Sequence, residues 1–156
     1  DMAPEGSNCL LNMEEDVLRF QFQKDNETVK QITLNSGYKR IADTFFKRNI
    51  PNEAEIESAI NCIEDELMSN KGLLGRKGYL FSSDRKLISI FNKNGLVEHS
   101  YSRQSVEDLF SRYARVMMGA PASEVDAEIT REDVAIILVL REIMHHLDFE
   151  ELRISA

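Results

Sequence analysis

From Leu18 the chain alternates: Leu18, Phe20 and Phe22 are apolar, and Arg19, Gln21 and Gln23 between them are polar. That two-residue period belongs to a strand with one buried face. The polar residues Lys24, Asp25, Asn26 and Glu27 supply a turn. The β-branched stretch 28–34 predicts a second strand that returns as a hairpin. The period then changes to 3.6. Tyr38, Ile41, Ala42 and Phe45 stand at i, i+3, i+4 and i+7, the stripe of a helix opened by Asn35, Ser36 and Gly37. Asn49 and Pro51 end it, because proline disfavours a helical conformation in the residue before it. Asn52 and Glu55 have the spacing of a capping box, and Ile56, Ala59, Ile60, Ile63 and Leu67 form the next stripe, with Gly72 as its stop.

Strand character returns over residues 78–101. Tyr79, Leu80 and Phe81 predict one strand, and Ser82, Ser83, Asp84 and Arg85 a turn. Residues 86–92 predict a second strand, joined through Asn94 and Gly95 to a third over residues 96–101. Ser102 or Ser105 caps a helix with Val106, Leu109, Phe110, Tyr113 and Met117 inward, closed by Gly119 and Pro121. After a small-residue, acidic loop over 120–129, Thr130 and Asp133 cap a helix through the seven apolar residues 134–140 and on to Ile143, Met144 and Leu147. The order is ββ–αα–βββ–αα. It predicts an α+β fold, a five-stranded, mainly antiparallel sheet packed against helices, with residues 1–14 a disordered tail and 15–156 a single domain. The order resembles that of PAS-like sensor domains and comes close to profilin-like adaptors, an analogy of element order alone.

A chain of 156 residues buries roughly 70% of the surface it exposes when unfolded, so folding requires neither metal nor disulfide. Cys9 and Cys62 belong to no CxxC pair and are expected as reduced thiols. The first residues lack a basic region ahead of their short apolar patch, and no apolar run exceeds seven residues. The expectation is a cytoplasmic protein without membrane insertion. A net charge of −8 excludes generic nucleic-acid binding, which needs cations against phosphates. The charge is also uneven. Glu53, Glu55, Glu57, Glu64, Asp65 and Glu66 are unrelieved by any base, whereas residues 71–95 carry six bases and one acid. That asymmetry fits a surface orienting a protein partner or a second subunit.

The most suggestive chemistry lies at Glu142, His145 and His146. Glu-x-x-His is half of a di-iron carboxylate motif, but no second copy occurs, and His99 is the only other histidine. Histidines in a last helical turn suit the helix dipole and can pair with Glu142, so no metal or cofactor is expected. Ser82, Ser83 and Asp84 have turn composition and lack a G-x-S-x-G context. Cys62 has acidic neighbours that would raise a thiol pKa. Residues 73–78 hold two glycines and two bases without P-loop spacing. Lys39, Arg40, Lys47, Arg48, Arg76 and Lys77 form a candidate basic partner surface, and Phe20, Phe22, Tyr79, Phe81 and Phe91 a candidate ligand pocket. With no coherent catalytic set, the sequence points to a non-enzymatic protein-binding or adaptor module, dimeric through helices near 104–118 and 131–147. Its alternatives are a small-molecule sensor domain and a metal-dependent enzyme using Glu142, His145 and His146.

Overall fold

The computed structural model describes residues 8–25, 27–75, 77–121 and 128–155. Strands β1 (Asn8–Met13), β2 (Leu18–Lys24) and β3 (Glu27–Leu34) form an antiparallel meander. Helices α1 (Tyr38–Phe45) and α2 (Glu53–Ser69) and a short 3-10 turn (Lys71–Leu73) lead to β4 (Tyr79–Ser82). Then follow α3 (Arg85–Lys93), β5 (Ser100–Ser102), α4 (Arg103–Met117), α5 (Arg131–His146) and β6 (Glu151–Ile154). The sheet order is β3-β2-β1-β4-β6-β5, with β4 parallel to both β1 and β6.

This six-stranded mixed sheet corrects the five-stranded, mainly antiparallel sheet expected from the sequence, and the fold is α/β. Three local readings account for the difference. Residues 8–13, assigned to the tail, are β1: Cys9, Leu11 and Met13 point inward and pair with Phe22, Phe20 and Leu18. Residues 86–92 are helical, because Leu87, Ile90 and Phe91 fall at i, i+3 and i+4 and are buried together. Asn94 and Gly95 therefore end a helix instead of turning a hairpin. Gly95 has φ +75°, but Asn94 has φ −98°, and a type I′ turn needs both positive. Finally, β6 lies in the last residues, with Leu152 and Ile154 inward.

The helices predicted around α1, α2, α4 and α5 are present. Asn52 and Glu55 make the reciprocal capping box, Ser102 accepts the Ser105 N–H, and Thr130 accepts the Asp133 N–H. Residues 134–140 of α5 are all buried, because α1, α2 and α4 pack around this helix. They share one core with the inward faces of β1, β2 and β4. The opposite sheet face is polar near β1–β3, where amide side chains run from Asn12 to Gln21 to Gln31.

Candidate functional site: the carboxyl ends of the parallel strands

The chain leaves β1 for β2 on one side of the sheet and later returns on the other side to β4. Such a reversal opens a crevice at the carboxyl ends of the strands, the usual ligand position in an open α/β sheet. Here the crevice is bounded by the β1–β2 turn (residues 14–17) and by Ser82, Ser83 and Asp84 at the start of α3.

Asp84 joins the two sides. One carboxylate oxygen accepts the N–H groups of Lys86 (3.0 Å) and Leu87 (3.3 Å), capping α3, and the other accepts the Met13 N–H at the end of β1 (3.2 Å). The buried Ser82 accepts the Asp84 N–H through its hydroxyl and the Ser155 N–H through its carbonyl, which brings the end of β6 to the same edge. The β1–β2 turn seats on α1, whose first N–H groups at Tyr38, Lys39 and Arg40 donate to the carbonyls of Glu14 and Glu15. Gly37 makes that contact possible, since a Cβ there would lie 2.2 Å from the backbone carbon of Asp16. The N–H groups of Tyr38, Lys39 and Arg40 in α1 and of Lys86 and Leu87 in α3 are thus taken by protein acceptors, unlike the open donors of helix termini that bind phosphate.

Two shallow clefts flank this edge. One, of about 550 Å³, is lined by Glu14, Glu15, Asp16, Val17, Arg19 and Tyr38. Its acids repel anions. The other, of about 690 Å³, runs along α3 and is lined by Ser83, Arg85, Ile88, Ser89, Asn92 and Lys93. Two cations, two hydroxyls and an amide make this lining rich in hydrogen-bond donors. Between the clefts Lys86 lies 4.7 Å from the centre of the Tyr38 ring and bonds Glu132 at 3.1 Å. Burial draws the Lys86 pKa down, but the Glu132 hydrogen bond and charge outweigh it and hold the ammonium above its ordinary value. Burial raises the Tyr38 hydroxyl, with Lys86 opposing it.

The candidate residues named from sequence fall elsewhere. Phe20 and Phe22 are core residues on the inward face of β2, and Phe91 packs edge-on against Tyr101. Tyr79 and Phe81 occupy the other face of β4, where Arg153 stacks 3.7 Å from the Tyr79 ring centre. The five aromatics do not converge on one pocket. Of the basic set, Lys39 pairs with Asp43 and Arg40 donates to the Asp16 carbonyl, Lys47, Arg48 and Lys77 are exposed, and Arg76 lies outside the described residues. Glu142 and His146 meet on α5, whereas the His145 side chain is exposed, with its ring edge-on to that of His146. Burial first, then Glu66 and Asp65, push the Cys62 thiol above its usual range. Among the described residues no helix is long and apolar enough to cross a membrane.

No family model and no curated protein matches this sequence, but solved structures share its fold. One is an Aquifex aeolicus structure described as a PPX-GPPA enzyme, with a TM-score of 0.74 and 17% identity, covering 97% of this chain and 54% of the other. A type II variant of the Aquifex aeolicus Ppx/GppA phosphatase gives the same values. An exopolyphosphatase from Cytophaga hutchinsonii gives a TM-score of 0.64 and 14% identity, with 97% and 54% coverage. The chain spans about half the length of these structures. The likeness corrects the functional reading made from sequence. The chain has the fold of these Ppx/GppA-type structures, in place of the adaptor-module, sensor-domain and metal-dependent-enzyme readings.

Proposed function

We propose that this chain is one lobe of an exopolyphosphatase-like phosphohydrolase, and that phosphate groups of the substrate meet it along the cleft beside α3. The observation that carries the reading is the position of that donor-lined cleft. It starts where β4 ends, at the sheet's point of chain reversal, in a fold shared with Ppx/GppA-type structures across 97% of the chain. Hydrolysis of a phosphoanhydride is mainly a matter of holding the phosphates and offsetting their charge. Arg85 and Lys93 supply charge, and Ser83, Ser89 and Asn92 supply neutral donors. The acids at positions 14–16 direct an anionic chain away from the end of β1 and toward α3. Since the chain matches about half of each related structure, this lobe forms one wall of the site, and the attacking water is positioned with the help of residues beyond it.

The test is binding of linear polyphosphate by calorimetry at low ionic strength, together with phosphate release by the full-length protein. Arg85 and Lys93 are exposed, and because Lys93 also lies 3.9 Å from the buried Asp133 carboxylate, an unchanged circular dichroism spectrum is the control for the Arg85→Ala, Lys93→Ala double variant. The variant should weaken polyphosphate binding at least tenfold and lower phosphate release in step. Binding unchanged in the double variant, or no polyphosphate binding by the unaltered protein, would exclude this reading.

A further inference from the structure

A second constellation lies away from the strand ends, on the helical side. Glu64 on α2 faces Glu142 and His146 on α5, and one ligand atom from each lies within 4.8 Å of the others. The His146 Nε2 is 3.2 Å from the Glu142 Oε1 and 3.6 Å from the Glu64 Oε2. These are the separations of ligand atoms sharing one small cation. Two atoms each about 2.1 Å from a tetrahedral zinc lie roughly 3.4 Å apart. Glu142 and His146 are four residues apart on one helix, so both project from the same face.

The surroundings add what a bare cluster would lack. The Glu142 side chain is only 1% exposed, and its other oxygen, Oε2, accepts from the Arg141 guanidinium at 2.6 Å. Arg141 is held in turn by Glu107 at 2.9 Å and lies over the Phe110 ring. The carboxylate is therefore fixed from behind by an outer-shell partner, and Oε1 is left directed toward His146 and Glu64. Across Glu64, Glu142, Glu107 and Arg141, three negative charges meet one positive charge around an imidazole. A divalent cation would balance that excess. One imidazole with two carboxylates is a donor set for zinc-class metals more than for the all-oxygen preference of calcium or magnesium.

We propose that Glu64, Glu142 and His146 form a binding site for a zinc-class divalent cation that clamps α2 to α5. Three protein ligands leave a fourth position open to water. The site is independent of the α3 cleft and of phosphate chemistry.

Zinc added to the metal-free protein in a calorimeter should bind at one ion per chain with micromolar or tighter affinity, and it should raise the thermal midpoint. Glu64→Gln changes a half-exposed side chain and leaves the fold intact, so it is the principal variant. It and His146→Gln should each weaken zinc binding at least tenfold and abolish the thermal shift, whereas His145→Gln and His99→Gln should leave both unchanged. Cobalt in place of zinc should show the visible absorption of a low-symmetry nitrogen and oxygen site in the unaltered protein and lose it in Glu64→Gln. The proposal is overturned if zinc fails to bind stoichiometrically. It is equally overturned if Glu64→Gln and His146→Gln bind zinc as the unaltered protein does. Polyphosphate binding, measured in the same variants, should not change.

Discussion

Replacing Asp84 with alanine would remove three hydrogen bonds at once, two that cap α3 and one that ties α3 to β1. Losing an N-cap acceptor costs about 1 kcal/mol. The Met13 N–H, partly buried at the end of β1, would lose its acceptor, at a cost of about 1–2 kcal/mol. The sum is about 2–3 kcal/mol. With a urea m-value of about 2 kcal/mol per M, the unfolding midpoint should fall by about 1–1.5 M at unchanged m. Asparagine separates the two parts. Its carbonyl oxygen can still cap α3, but its amide would face the Met13 N–H donor to donor. Asp84→Asn should therefore lose only the Met13 share, roughly half the effect. A midpoint shift for Asp84→Ala equivalent to less than about 0.5 kcal/mol would refute the reasoning. So would equal destabilisation by alanine and asparagine, since the cap and the strand tie would then not be separable.

Gly37→Ala puts a Cβ within 2.4 Å of backbone atoms of Glu15, Asp16 and Val17, so it should destabilise by about 3 kcal/mol or more and distort the β1–β2 turn, visible in amide chemical shifts there. Leu138→Ala in the enclosed α5 should cost about 2–5 kcal/mol by urea unfolding, whereas Val97→Ala, 72% exposed, should stay within about 0.5 kcal/mol. Glu55 gives a pH signature. Hydrogen bonds from the Asn52 and Lys47 N–H groups hold its pKa below the ordinary value, so its stabilising contribution is present above the unfolded value near about 4.3. That contribution is lost as the pH falls through the lowered folded value. Unfolding titrations between about pH 5 and 3 should show a shallower loss of stability in Glu55→Gln than in the unaltered protein.

Local periodicity carried the β2–β3 hairpin and four of the five α-helices among the described residues, because each of those elements repeats its pattern long enough to be distinctive. The failures are short or double-valued. In β1 and β6 only Cys9, Leu11, Met13, Leu152 and Ile154 mark the inward face; β6 forms by pairing with segments distant in sequence, and β1, though hairpinned to β2, is a short stretch inside what reads as a tail. Residues 86–92 satisfied two templates. Leu87, Ile88, Ile90 and Phe91 are apolar enough for a buried strand, yet Leu87, Ile90, Phe91 and Asn94 also stand at i, i+3, i+4 and i+7. The deciding signal was Asp84, an N-cap residue placed just ahead of that stripe. Reading it as part of a turn replaced α3 by a strand, while the parallel pairing of β4 was lost separately, because β1 was read as tail and β6 was not read as a strand.

The unread β1 and the misread α3 together hid the cleft beside α3. A crevice at a point of chain reversal exists only once β4 is known to run parallel to β1, so Ser83, Arg85, Ser89 and Lys93 had no common address in an antiparallel meander. The helical cluster shows the complementary limit. The spacing motif read from sequence was Glu142 with His145, three residues on, but the His145 side chain is exposed, and it is His146, four residues from Glu142 on the same helix, that meets the carboxylate. Glu64 could not have been paired with them from sequence, because 78 residues separate it from Glu142 and only the packing of α2 against α5 closes that gap. A metal reading from one helix offers two ligands. The third comes from tertiary structure, which is why Glu64→Gln, and not a histidine variant alone, is the measurement that decides whether these side chains form a site or an ion pair.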